Sequence, residues 1–244
     1  IKDINTDDPA SDDRDPELFF VSNLHFTDGS KVGGLSNDEI VWHTDLIYRE
    51  NPASGSIFYG VEMPEGIAET SYCNLSHAYN TLPNNLRRAV DGKRARCKYG
   101  TEAPLCSFMR QNVEKNFRRE SGSDAETAAI DARTPEVVHD MVLENRATGE
   151  RSLYLSPNHT VAIENMSEED GRNLFDALME HALRPENIYA HNWRNGDIVM
   201  WDNTRLLHRR GAFNGRIPRL AKRTTVYMDP EFFAVPNFNR SAVA

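Results

Sequence analysis

Nothing in these 244 residues approaches the run of about 20 apolar side chains that a membrane-crossing helix needs, and nothing at the start reads as a signal peptide. Cysteine is scarce. Cys73, Cys97 and Cys106 form an odd set without a C-x-x-C pair, which argues against a disulfide framework or a zinc ribbon and makes a reducing cytoplasm the expected location. Positive charge is in deficit: 28 Lys and Arg face 37 Asp and Glu, leaving a net charge of −9, so the molecule as a whole lacks the footprint of a nucleic-acid binder. The basic residues between 205 and 223 are therefore a local feature of an acidic protein, suited to steering a small anion into one pocket. The length fits one domain with a sizeable core.

What is present centres on Trp42-His43-Thr44-Asp45. In an extended segment residues i and i+2 share a face, so His43 and Asp45 would present an imidazole and a carboxylate side by side. These are two legs of the 2-His-1-carboxylate triad that holds non-haem Fe(II) with open positions. A lone His-x-Asp is weak evidence, because a chain with 8 His and 37 acidic residues can show one on its surface by chance. The best third leg is His208, just after the apolar run Ile198 to Trp201. Arg219 and Arg223 follow it by 11 and 15 positions and enter a β-branched run, whereas Arg209, Arg210 and Arg216 flank Gly211 and Gly215 in what reads as an exposed turn. A rigid, permanently charged fork suits bidentate capture of a carboxylate.

The rest of the chain is organised around short strands. Residues 1 to 16 are an Asp-rich, solvated lead-in. Leu18 to Val21 reads as a strand, Thr27 to Asp38 as a glycine-bearing loop that is either plain or a lid, and Gly55 to Glu62 and Thr70 to Asn74 as strands. Residues 76 to 91 read as a helical hairpin with Pro83 opening its second arm. The polar stretch 101 to 135 is a solvated face or a second candidate lid. Val137 to Glu144 and Arg151 to Leu155 should pair across Thr148-Gly149. Ser167 opens a helix with Asp170 in a near-capping-box position and Leu174, Phe175, Leu178 and Ala182 at helical spacing. Ile188 to Trp193 and Asp197 to Trp201 flank Asn195-Gly196 and are expected to form a hairpin. His25, His77, His139, His159, His181 and His191 show no metal-like spacing and read as surface or packed imidazoles, while Trp42 and Trp201 read as wall residues. The pattern alone gives an all-β sandwich or barrel with helical inserts.

In order, W-H-T-D, P-A-S-G-S-I, E-T, W-D-N-T-R-L-L-H and R-L-A-K-R-T-T resemble the taurine dioxygenase and 2,4-dichlorophenoxyacetate dioxygenase family of Fe(II)- and 2-oxoglutarate-dependent enzymes, from about Trp42 to Met228. The resemblance implies a mainly β fold with peripheral helices, a double-stranded β-helix or jelly roll with iron at its mouth. It implies His43, Asp45 and His208 as iron ligands, and Arg219 assisted by Thr70 as the partner of the distal carboxylate of 2-oxoglutarate. Arg223 is the implied grip on an anionic substrate, a small carboxylate or sulfonate. O2 is the oxidant, succinate and CO2 the by-products, and the presence of Asp45, which halogenating relatives replace, favours hydroxylation. Members usually carry more chain before the metal motif, so 1–244 is expected to be a single dioxygenase domain short of its natural N-terminal segment, acting without nucleic acid or membrane, as a monomer or homo-oligomer. The rival is a jelly roll that binds zinc at the same three residues for a hydrolytic or non-catalytic purpose; it would have no use for Arg219 and Arg223.

Overall fold

The computed structural model describes residues 17–35, 37–100, 103–110 and 132–236. The lead-in 1–16 and most of the polar candidate lid therefore lie outside the described residues.

Two four-stranded antiparallel sheets form the body. The first runs in the order β1 (Phe19–Ser22), β13 (Leu220–Val226), β3 (Gly55–Glu62), β11 (Ile198–Asp202). The second runs β10 (Ile188–His191), β4 (Thr70–Asn74), β12 (Leu206–Arg210), β2 (Ile40–His43). Their inner faces meet through Val21, Phe58, Trp201 and Ala221 from the first sheet and Tyr72 from the second, with Met63 and Trp193 beside them. Alternation sets this layer: along β3, Ser56, Phe58 and Gly60 are buried while Tyr59 is exposed. This is the jelly roll with peripheral helices.

The outer face of the second sheet buries Cys73 and Leu207 under α1 (Leu75–Asn80), α2 (Asn84–Val90) and α4 (Glu168–Ala182); α3 (Ser107–Arg110) adds Met109. Trp42 belongs to this outer core, whereas Trp201 faces inward. The Ser167 side chain accepts the backbone N–H of Asp170, and three acidic residues in the first turn complement the helix dipole. Leu174, Phe175, Leu178 and Ala182 are all buried, as their spacing predicts. Pro83 stands at the N-cap of α2.

Two pairings differ from the sequence-based expectation. β6 (Val137–Asp140) pairs with β5 (Arg94–Cys97), which also pairs with β9 (Thr160–Ile163); only β7 (Val142–Glu144) pairs with β8 (Arg151–Leu153). The segment around Asn195-Gly196 is not a hairpin either. It carries the chain from β10 in one sheet to β11 in the other, because each strand has a better long-range partner, β4 and β3. The turn still needs its glycine, with Gly196 at φ +90. It is tied to β3 by Gly196 N–H to Gly60 O at 2.8 Å and Gly60 N–H to Asp197 O at 2.9 Å, an approach so close that a Cβ on Gly60 would lie 3.2 Å from Arg194 O. Among the described residues no helix is long and apolar enough to cross a membrane.

Candidate active site

Cross-strand register builds the site. On the inner face of the second sheet, His43, His208, Tyr72 and Tyr189 form one row, each directly opposite the next. Ile40, Arg210, Thr70 and His191 form the adjoining row. Asp45 does not lie in a strand: β2 ends at His43, and the chain turns at Asp45 just before Leu46 at φ 57. The turn nevertheless returns the carboxylate to the imidazoles. Asp45 Oδ1 lies 3.6 Å from His43 Nε2 and 3.8 Å from His208 Nε2.

The three residues offer ligand atoms that all lie within 4.8 Å of one another, and two imidazoles with one carboxylate are the donor set of a non-haem Fe(II) site. His43 Nδ1 lies 2.7 Å from Val41 O, which makes it the donor and leaves Nε2 to face the cluster as a ligand. Ser56 Oγ donates to Asp45 Oδ2 at 2.7 Å and leaves Oδ1 to the cluster. Nothing in the sequence singled Ser56 out; its position on the inward face of β3 is the one available clue.

A cavity beside the cluster is lined by His43, His208, Thr70, Tyr72, Trp201 and Arg219, with Arg209, Arg210 and Arg223. It has no acidic side chain among its described lining residues. The arginines differ in how they are spent. Arg209 lies over the Trp42 ring, and Arg210, expected in an exposed turn, is buried and donates to the carbonyls of Leu35 and Asp38, anchoring the 27–38 loop. Arg223 pairs with Asp45 Oδ1 at 3.1 Å. Arg219 is 1% exposed, and its Nε and Nη1 have no hydrogen-bond partner among the described residues. Burial lowers its pKa to about 9, so the guanidinium stays charged at neutral pH. An unpaired buried cation of this kind is the feature an anionic ligand would satisfy. Thr70 is buried in the same wall, its hydroxyl accepting the indole N–H of Trp193 at 2.8 Å.

Burial pushes the Asp45 carboxyl upward, but Arg223, then His208 and His43, outweigh it and hold the group well below the usual carboxylate range. Burial lowers His208 to about 3, helped by His43, and lowers His159 likewise to about 3. His159 is packed against Tyr48 and within reach of the Lys98 carbonyl; it is near enough to His43 and Asp45 to feel their charge but does not line the cavity. Of the other discounted histidines, His139 is held on the Ile47 carbonyl, His77 on Asn187, His181 on the Ala78 carbonyl and His191 on Asp197.

Both buried imidazoles stay neutral in the folded protein while the unfolded chain takes up protons below about 6.5. The metal-free protein should therefore lose stability as pH falls from about 6.5 toward about 3, each group contributing a slope of at most about 1.4 kcal/mol per pH unit. Urea midpoints at pH 7 and pH 4.5 measure this. The slope should be shallower in His159→Gln, and identical slopes in the two proteins would contradict the assignment.

The comparisons with known proteins agree with this geometry. The family model described as "Taurine catabolism dioxygenase TauD, TfdA family" matches residues 2–225. Pentalenolactone F synthase of Streptomyces arenae is 31% identical over 218 residues, which cover 88% of this chain and 70% of that protein. The alpha-ketoglutarate-dependent 2,4-dichlorophenoxyacetate dioxygenase of Cupriavidus pinatubonensis is 28% identical over 198 residues, 81% of this chain and 63% of the relative. Among solved structures, AAD-2 in complex with Mn(II) and N-oxalylglycine superposes with a TM-score of 0.67 at 26% identity, covering 88% of this chain and 74% of that one.

Proposed function

Because the chain belongs to the TauD/TfdA dioxygenase family, we propose that it is one catalytic domain in which His43, Asp45 and His208 hold Fe(II), Arg219 and Thr70 bind 2-oxoglutarate, and Arg223 receives a small anionic substrate. When bound, iron with 2-oxoglutarate and O2 supplies the oxidising power, releasing succinate and CO2 as a C–H bond of the substrate is hydroxylated. The chain's own residues supply position and charge. His43 and His208, one row across two paired strands, fix two ligand atoms, and Ser56 orients the carboxylate that completes the set. Phe58 and Trp201 exclude water from the wall opposite.

The observation that carries this reading is the buried guanidinium of Arg219, unpartnered among the described residues, in the cavity lined by the two histidines of the His-Asp-His cluster. A hydrolytic zinc site would leave that charge without a purpose. Arg223 supports an anionic substrate by a different route. It pairs with Asp45, and ligation of a divalent ion would draw on the same carboxylate oxygen, weakening that pair and adding to the positive potential an anion would meet in the cavity. The relative named for 2,4-dichlorophenoxyacetate is named for such a carboxylate.

The Asp45 pair also supports a second reading, in which Arg223 serves only to orient the ligand carboxylate and the substrate is uncharged. Substrate-coupled succinate release over anionic and neutral panels separates the two. The wild type should couple to carboxylates or sulfonates, and Arg223→Gln should lose about tenfold or more in kcat/KM toward them. Robust coupling to neutral compounds, undiminished in the variant, would rule out the anion grip.

A further inference from the structure

Tyr72 is the group in the cavity that this reading leaves without a task. It is 6% exposed, and its hydroxyl is buried with no hydrogen-bond partner among the described residues. The ring is held in place: it stacks on His208 at 6.3 Å and 27° and packs against Trp201 at 5.5 Å. On β4 it stands two residues from Thr70, and therefore on the same inward face.

The phenol and the Arg219 guanidinium line one cavity, yet no hydrogen bond joins them. Burial pushes the phenol's pKa well up, so it remains an O–H group at every working pH. A guanidinium can only donate; the phenol oxygen could accept from it but does not, so the phenol O–H and the guanidinium N–H groups are both left as donors. Two buried donors without acceptors call for one acceptor between them that carries more than one oxygen. Asp45 does not meet that need, since its oxygens are taken by Ser56 and Arg223.

We propose that Tyr72 Oη donates a hydrogen bond to the distal carboxylate of 2-oxoglutarate, sharing that group with Arg219, and thereby helps select a dicarboxylic 2-oxoacid over a monocarboxylic one. The inference rests on the cosubstrate reading above and extends it to a residue on the metal-ligand row. Tyr72 is thus a selectivity residue as well as the ring against which His208 is packed.

The test uses the full chain loaded with Mn(II), so that binding is read without turnover. Calorimetric titration with 2-oxoglutarate and with 2-oxobutyrate, which keeps the chelating end but lacks the distal carboxylate, compares wild type with Tyr72→Phe. Tyr72→Phe should bind 2-oxoglutarate about tenfold or more weakly and 2-oxobutyrate as the wild type does. The ligand-free melting temperature should be unchanged or higher, because the variant removes an unsatisfied buried hydroxyl. An equal loss for both ligands, or a lowered ligand-free melting temperature, would assign Tyr72 to packing and overturn the proposal. So would unchanged 2-oxoglutarate affinity. A wild type that binds the two acids equally tightly would instead remove the cosubstrate reading, and this inference with it.

Discussion

Alanine in place of His208 or Asp45 is expected to abolish iron-dependent turnover while the domain stays folded. Each substitution removes one of the three donors that stand within 4.8 Å of one another, and two donors no longer define the open triad. Removing mere hydrogen-bond partners of metal ligands typically costs 10–100-fold, so loss of a ligand itself should cost at least about a hundredfold. The two variants differ in their structural cost. His208→Ala leaves a cavity beside Trp201 and Tyr72. Asp45→Ala deprives Ser56 and Arg223 of a buried acceptor and should be the less stable of the pair. Asp45→Asn keeps the volume but removes the charge and separates the two effects. Consumption of 2-oxoglutarate, bound metal and a circular-dichroism melt are the measurements. Normal consumption in either purified alanine variant would sink the triad.

Arg219→Ala should weaken 2-oxoglutarate binding by about 2 kcal/mol or more, roughly thirtyfold, the scale of a lost charge-assisted hydrogen bond. Arg219 differs from a surface arginine in being buried. With Nε and Nη1 unsatisfied in the ligand-free protein, the guanidinium has few polar interactions to lose until an anion arrives. Affinity should therefore fall much further than ligand-free stability, whose loss is limited to packing such as the contact with Phe58, 5.5 Å away. Thr70→Val should weaken binding less, because that hydroxyl is already engaged by Trp193. Titration of the metal-loaded protein decides the matter. Unchanged affinity in Arg219→Ala would pass the role to another arginine of the cavity.

The sequence disclosed the site better than it disclosed the pairing. His43, Asp45, His208, Thr70, Arg219 and Arg223 were nominated from short motifs with fixed local spacing; the structure lines one cavity with five of them and sets Asp45 against the two histidines. The strands β3 and β4 were legible from alternation and bounding turns. Strand partners were not, because period-2 patterning identifies an inward face without saying which strand lies opposite. Asn195-Gly196 illustrates the limit: the dipeptide correctly marks a turn, and only long-range competition decides that the flanking strands enter different sheets. Ser56 and Tyr72 were invisible for a related reason. A serine or tyrosine in a strand is ordinary, and its meaning depends on cross-strand neighbours far away in the chain. The Asp45–Arg223 pair, from opposite ends of the chain, is of the same kind.

The pairing of the first strand with the last has a bearing on how the protein acquires its activity. β13, which carries Arg223 and follows directly from Arg219, sits between β1 and β3, with Phe19 opposite Arg223. Local structures such as α4 and the β7–β8 ribbon can form early, whereas β1 and β13 must find each other across nearly the whole chain, a late and entropically costly closure. The row of imidazoles depends on a long-range closure of its own, His43 on β2 against His208 on β12, so the proposed metal ligands and the proposed anion-binding arginines would all be assembled by pairings between the two ends of the chain.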